Sequence, residues 1–162
     1  MLPKTMADGL NAQVRHEMES AYIYLAMAAY CEAKDELGFA QWLRVQAKEE
    51  LEHAMRFYDF VHDRGGRVVL QAIAQPPVEF GSMVELFEQV LQHEVKISSL
   101  IHHLYELAVQ EKDYASLPFL QGFIVEQVEE EKTAADVLAQ IKRAGQDMAA
   151  VIQLNKALGE RV

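Results

Sequence analysis

The sequence predicts an all-α protein: a bundle of four long helices, one long crossover between the second and third helices, and a short fifth C-terminal helix. Three observations favour this fold class. Apolar residues recur at steps of three and four over four stretches of similar length, the period of one helix face. Only eight Gly and four Pro occur in 162 residues, so these stretches contain few helix breakers. A single longer Gly- and Pro-containing segment separates the second stretch from the third.

The first helix is predicted from about residue 5 to residue 33, with an apolar face formed by Leu10, Val14, Ala21, Tyr24, Ala28 and Cys31. The same steps define a second helix around Phe39–Phe60, a third around Phe87–Ala108 and a fourth around Leu120–Ile141. Short connections, Lys34–Gly38 and Glu111–Pro118, join the helices into two pairs. Each pair is therefore predicted to be antiparallel.

The connection between the second and third helices is different, because it runs for seventeen residues from Gly65 to Gly81 and contains Pro76-Pro77. Extended, it reaches roughly 56 Å at about 3.3 Å per residue. A helix of about 28 residues is about 42 Å long. The segment can therefore cross the whole bundle, which allows the second and third helices to run parallel.

The fifth apolar segment, Asp147–Leu158, follows Gly145 and has no place in a four-helix core. It is expected to dock elsewhere on the bundle or on other subunits. The sequence thus predicts one domain over residues 1–162, with the bundle at about 5–143 and the short helix at about 147–158.

Composition excludes several functional classes. A formal charge of −10 opposes binding to nucleic acid and favours cations in an acidic cleft. Cys31 is the only cysteine, so a Cys-rich metal module is excluded. The longest apolar run, residues 21–31, is too short to cross a bilayer, and the N-terminal stretch has no secretory signal pattern. We therefore expect a cytoplasmic protein with no membrane partner.

Polar residues interrupt the apolar face of every long helix at one height. Counting from the predicted helix starts places them all about 18 to 21 Å along their helices, in the middle of the bundle. They are Glu17 on the first helix, Glu50 and His53 on the second, Glu94 on the third, and Gln127 and Glu130 on the fourth.

Four carboxylates clustered in a core repel one another, and each carries a desolvation cost of several kcal/mol. Two divalent cations would balance their charge, and shared carboxylates hold such ions about 3.5 to 4 Å apart. A lone Glu-x-x-His is common on solvated helix faces, and an isolated acidic residue often reflects a misjudged helix face. The coincidence of four helices at one height favours a two-metal centre.

Further residues beside this centre can each be interpreted in two ways. Glu49, Glu126 and Glu129 lie next to the central face and form either an additional oxygen-only metal site or part of a charged, solvated surface. Tyr24 either hydrogen-bonds a metal ligand or donates an electron, or it is a core aromatic residue with a bonded hydroxyl.

Together these residues resemble the bacterial non-haem ferritins along essentially the whole chain. That family has a Glu on the first helix, Glu-Glu-x-x-His on the second, Glu on the third and Glu-Gln-x-x-Glu on the fourth. The corresponding residues here are Glu17, the stretch EELEH of residues 49–53, Glu94 and the stretch EQVEE of residues 126–130.

The resemblance implies a ferroxidase centre in which Glu17, Glu50 and His53 hold one iron and Glu50, Glu94 and Glu130 hold a second. It places Gln127 nearby as a hydrogen-bonding or oxygen ligand, makes a third iron site of Glu49, Glu126 and Glu129, and sets Tyr24 beside the centre. It also implies a hollow shell of 24 subunits that stores ferric mineral. Haem is not expected, because Glu52 occupies the position of the haem-ligating methionine in bacterioferritins.

Three functions are compatible with these patterns. The first is a ferroxidase that oxidises Fe(II) with dioxygen or peroxide and stores the ferric product, a chemistry that hard carboxylate ligands favour. The second is a soluble di-iron or di-manganese oxidase or catalase without mineral storage. The third is a structural helical assembly in which the mid-bundle acids are incidental.

Overall fold

The computed structural model describes residues 2–162, and within them it contains five α-helices and no strand. The helices are α1 (Lys4–Glu32), α2 (Leu37–Asp63), α3 (Met83–Gln110), α4 (Ser116–Ala144) and α5 (Met148–Leu158). The predicted all-α fold with four long helices and a short fifth helix is confirmed. None of the described helices is long and apolar enough to cross a membrane.

The four long helices form two antiparallel pairs, α1 with α2 and α3 with α4, joined by residues 33–36 and 111–115. The predicted connections were a few residues too long at their ends. Gly38 lies in the first turn of α2, and Pro118 lies in the first turn of α4. Proline is accepted there because backbone N–H groups in a first turn have no partner within the helix.

The long crossover, residues 64–82, makes α2 and α3 parallel. Near the start of both helices, the Trp42 and Phe87 rings lie 5.3 Å apart. Beyond the end of α2, the Arg64 guanidinium contacts Asp113 in the connection that follows α3, at 2.6 Å. The predicted parallel arrangement, with one crossover spanning the bundle, is therefore confirmed.

The apolar core consists of two separate clusters, one at each end of the bundle. One cluster surrounds the start of α3 and includes Phe39, Leu43, Phe87, Val90 and Ile141. The other surrounds the end of α3 and includes Leu10, Phe57, Ile101, Leu120 and Phe123. The buried polar residues of the long helices' central turns lie between the two clusters.

The short helix α5 packs across the end of the bundle against α2 and α4, and Leu158 is the one buried residue of α5. The side chain of Asn155 accepts hydrogen bonds from the backbone N–H groups of Gly38 and Phe39, at 2.8 and 3.0 Å. Glu36, the residue before α2, provides no side-chain cap. A residue of α5 therefore caps the N-terminus of α2, which is possible because Gly38 has no Cβ to clash with the Asn155 backbone.

Asn155→Ala is expected to lower the melting temperature, because it leaves two N–H groups of α2 without an acceptor. Loss of a cap costs about 1 to 2 kcal/mol, and the better helix propensity of alanine offsets about 0.5 kcal/mol of this. The measurement is thermal melting at one protein concentration. Gln153→Ala, on the exposed face of α5, is the control and should match or exceed wild type. Equal melting temperatures for the two variants would contradict the capping role.

Candidate metal centre

The predicted central residues lie in one layer, which is buried except at Glu130. Glu17 is contributed by α1, Glu50 and His53 by α2, and Glu94 by α3, while Gln127 and Glu130 come from α4. Glu17, Glu50 and Glu94 are at most 1% exposed to solvent. Carboxylates buried to this extent are strongly destabilising unless a counter-charge or hydrogen bonds compensate them.

Glu17, Glu50 and His53 form the tightest part of this layer. One ligand atom from each of these residues lies within 4.8 Å of the other two. Nδ1 of His53 is 3.5 Å from Oε2 of Glu50. Oε2 of Glu17 and Oε2 of Glu50 are both buried without a hydrogen-bond donor. Two unpartnered carboxylate oxygens beside an imidazole nitrogen are a donor set suited to a divalent metal ion.

The other oxygens of these carboxylates are held by neutral donors. Gln13 donates to Oε1 of Glu17 at 2.7 Å, and Gln46 donates to Oε1 of Glu50 at 3.1 Å. Each amide lies four residues before its glutamate on the same helix, the spacing at which side chains meet. These two residues were not predicted, although the sequence does show a glutamine four residues before Glu17 and another four residues before Glu50.

Gln46 also connects α2 to α4, because its Nε2 donates to Oε2 of Glu130 at 2.8 Å. On α3, Glu94 accepts hydrogen bonds from the Tyr24 hydroxyl and, at 3.2 Å, from Nε2 of Gln127. Each of the four central carboxylates thus has at least one oxygen oriented by a neighbouring amide or hydroxyl. Such supporting hydrogen bonds orient ligands before a metal binds.

Burial and mutual repulsion shift the pKa values of these groups. Burial, with a further contribution from the Glu50 charge, raises the pKa of Glu17 well above its ordinary value and that of Glu94 to about 8. Burial also raises the pKa of Glu130. Burial opposes ionisation of Glu50 too, but the neighbouring His53 outweighs it and lowers the Glu50 pKa. Without metal, therefore, the layer retains protons that a bound cation would displace.

Tyr24 is fully buried, and its hydroxyl donates to Oε1 of Glu94. Burial and the Glu94 charge raise the pKa of Tyr24 well above its ordinary value, so the phenol stays protonated. His93, which was not among the predicted site residues, meets the Tyr24 ring edge-on at 5.5 Å and contacts the Ser20 hydroxyl at 2.7 Å. Tyr24 is therefore a hydrogen-bond donor to a candidate metal ligand.

Neither the three residues predicted for a third metal site nor Glu50, Glu94 and Glu130 form a group of ligand atoms within 4.8 Å of one another. Glu49 contacts Arg161 at 2.5 Å, and Glu126 contacts Arg56 at 2.6 Å. Glu129 is exposed to solvent. Over residues 2–162, Glu17, Glu50 and His53 form the one group of three such side chains close enough to share a metal ion. Glu49 and Glu126 are therefore each paired with an arginine.

Comparisons with known proteins agree with this fold. Residues 7–144 match the sequence model of the ferritin-like domain family. The chain belongs to the ferritin-like domain family. It is 38% identical to the bacterial non-heme ferritin of Staphylococcus aureus (strain USA300) over 161 residues, which cover 99% of this chain and 97% of that protein. The corresponding protein of Staphylococcus epidermidis is 40% identical over the same shares of both chains.

Solved ferritin structures superpose on the whole ferritin-like chain. An open-pore ferritin from the archaeon Archaeoglobus fulgidus is 45% identical, with a TM-score of 0.99 and complete coverage of both chains. A closed form of that ferritin made by site-directed mutagenesis is 46% identical, with a TM-score of 0.98 over 100% of this chain and 99% of the other. The predicted resemblance to bacterial non-haem ferritins is therefore confirmed.

The raised pKa of Glu94 makes metal-free stability depend on pH. Its folded pKa is about 8, above its ordinary value of 4.5, so its favourable contribution is complete at low pH and is lost as the pH rises through about 8. Glu94→Gln removes this titration while retaining an amide of similar size. In chelator-treated protein, the melting temperature of Glu94→Gln minus that of wild type should therefore increase between about pH 5 and pH 8.5.

A matched control is Glu85→Gln, because hydrogen bonds from Ser82 lower the pKa of the exposed Glu85. Its contribution is lost only when the pH falls through that lowered pKa, so its difference from wild type should stay constant over the same range. Parallel curves for Glu94→Gln and wild type would contradict the assigned charge state of the layer.

Proposed function

We propose that the chain is an iron-storage protein that oxidises Fe(II) to Fe(III) in its mid-bundle layer and stores the ferric product inside a shell of 24 subunits. The observation that supports this most strongly is the pair of buried, unpartnered oxygens of Glu17 and Glu50 beside His53, at the centre of a ferritin-like bundle. A bundle whose mid-layer acids were incidental would gain nothing from leaving these oxygens without donors.

In this proposal, Glu17, Glu50 and His53 hold one ferrous ion, and Glu50, Glu94 and Glu130 hold a second, with Glu50 bridging. Gln127 orients Glu94 or supplies a further oxygen. Each pair of ferrous ions gives up two electrons, which with two protons convert dioxygen to hydrogen peroxide, or hydrogen peroxide to two molecules of water. Hard carboxylate oxygens favour the ferric product over the ferrous substrate.

The protein's own groups manage protons and geometry in this reaction. Raised pKa values favour protonation of Glu17 and Glu94 before iron enters, and cation binding would release any such protons. Tyr24 and Gln127 keep Glu94 oriented, and Gln46 keeps Glu130 and Glu50 oriented. Ligands held in this way need little rearrangement as the charge on the metals increases.

A homo-oligomeric shell is consistent with the apolar residues that one subunit leaves exposed. Tyr22 and Leu25 on α1 are about half exposed, and Val78 on the crossover is 70% exposed. These residues line one concave surface between α1 and the crossover. Contiguous exposed apolar surface of this kind fits a contact between subunits.

The proposal extends to location and cofactors. We place the shell in the cytoplasm, without a nucleic-acid or membrane partner and without haem. Glu52, at the position that the resemblance assigns to the haem-ligating methionine of bacterioferritins, is largely exposed. Its Oε1 lies 3.9 Å from Nζ of Lys48. A third iron would bind Glu49, Glu126 and Glu129 only after displacing Arg161 and Arg56 from two of these carboxylates. Any such site is therefore weaker than the central pair.

Iron loading tests the storage function. Purified metal-free protein is supplied anaerobically with excess Fe(II), exposed to air and separated by size, while ferric absorbance is followed. A storage protein elutes as a large particle containing far more than two irons per chain. A soluble oxidase or catalase would stop near two, and a structural bundle would remain free of iron; either result would contradict the proposal.

Site-directed variants test the assigned centre. Glu50→Ala should reduce the initial rate of Fe(II) oxidation at least about tenfold, because Glu50 is assigned to both ions and loss of even supporting residues at metal sites costs about 10- to 100-fold. Glu52→Ala, two residues away on the exposed surface, is the control and should retain the wild-type rate. The measurement is stopped-flow absorbance at two Fe(II) per chain. Equal rates for the two variants would rule out the site assignment.

A further inference from the structure

Arg161, which follows α5, is anchored on the first half of α2. Its backbone carbonyl accepts a hydrogen bond from Nε2 of Gln41 at 3.1 Å. Its guanidinium lies over the Trp42 ring, 4.6 Å from the centroid. Nη2 contacts Oε2 of Glu49 at 2.5 Å, and Nη1 donates to Oε1 of Gln46 at 3.0 Å. The C-terminal segment therefore reaches a residue that itself contacts the proposed metal ligands.

Gln46 is 1% exposed, and all its polar atoms are engaged. Its Oε1 accepts from Arg161, while its Nε2 donates to Oε1 of Glu50 at 3.1 Å and to Oε2 of Glu130 at 2.8 Å. A guanidinium can only donate, and an ionised carboxylate can only accept. The amide therefore satisfies all three neighbours in one orientation only, with its oxygen toward Arg161.

We propose that Arg161 is a positioning residue for the metal centre, acting through Gln46 on Glu130 and Glu50. Without the guanidinium, Gln46 has no donor for its oxygen, and its amide is no longer held in the position from which Nε2 reaches both carboxylates. Glu130 then loses the hydrogen bond that links α4 to α2. The effect falls mainly on the ion assigned to Glu50, Glu94 and Glu130, because Glu130 belongs to that ion alone. The inference rests on the proposed function.

Positioning and simple charge effects predict opposite results for this residue. Arg161 is positive, so removing it would strengthen cation binding if only its charge mattered. Removing a residue that positions a ligand weakens binding instead, by about 10- to 100-fold for outer-shell partners of metal ligands. The direction of the change therefore distinguishes the two roles.

The test is a titration of metal-free, assembled protein with zinc, which binds without being oxidised, followed by calorimetry. Cobalt(II) absorbance provides a second, spectroscopic readout of the ligand geometry. Arg161→Ala should weaken zinc binding at one of the two sites about tenfold and leave binding at the other within about twofold. Arg161→Lys, which keeps a donor for Gln46, should restore most of that affinity. Lys156→Ala removes an exposed positive charge from α5 and should bind zinc as wild type does.

A double-mutant cycle tests whether Arg161 acts on the metal ligands through Gln46. In a Gln46→Ala background, Arg161→Ala should cause no further loss of zinc affinity, because the connecting amide is already absent. Fluorescence of Trp42, the only tryptophan, reports whether the C-terminal segment stays docked. Size-exclusion elution at the wild-type volume confirms that each variant assembles.

The outcomes separate this inference from the proposed function. If wild type binds two zinc ions and Arg161→Ala binds them equally or more tightly, the positioning role of Arg161 is contradicted and the proposed function is not. A further loss from Arg161→Ala in the Gln46→Ala background also contradicts the positioning role, because the effect then travels through Glu49 or the fold. If wild type binds no zinc in the layer, the proposed function fails and the inference fails with it.

Discussion

The clustering of four glutamates in one layer, three of them buried, is the constraint on which the rest of the structure depends. Carboxylates in a core are stabilised by neutral hydrogen-bond donors, by retained protons or by bound cations. This layer uses the first two, and we propose that it also binds cations. Gln13, Gln46, Gln127 and Tyr24 supply donors, and burial raises the pKa of Glu17 and Glu94, which favours their protonated forms. Two oxygens are left without a donor, and the proposed cations occupy that position.

This layer also determines how the bundle is stabilised. The apolar core is divided into two clusters, so each end of the bundle must pack independently of the other. Aromatic residues concentrate at both ends: Trp42 lies against Phe87 at one, and the Phe57 and Phe123 rings stack 4.3 Å apart at the other. The rigid ends hold the four helices in register, which keeps the polar layer aligned although it contributes little apolar burial.

Much of the fold and of the central layer could be predicted, because both follow from residues spaced at the three- and four-residue steps of an α-helix. Steps of three and four located the helices, and the same steps placed Glu17, Glu50, Glu94 and Glu130 at one height. The remaining features depend on contacts between distant parts of the chain. The ion pairs of Glu49 and Glu126 with arginines, and the role of Gln46 between two helices, cannot be read from the local pattern. Helix starts at Leu37 and Ser116 were missed because Gly38 and Pro118 resemble loop residues although both fit a first turn.

The cap that Asn155 provides for α2 affects the order in which α2 can be completed during synthesis. Gly38 and Asn155 are separated by 117 positions in the sequence. During synthesis, the first turn of α2 therefore remains without its acceptor until nearly all of the bundle has left the ribosome. The α1–α2 hairpin can form early, but its open end closes only when α5 arrives. Helix α5, which is translated long after α2, thus completes the start of α2.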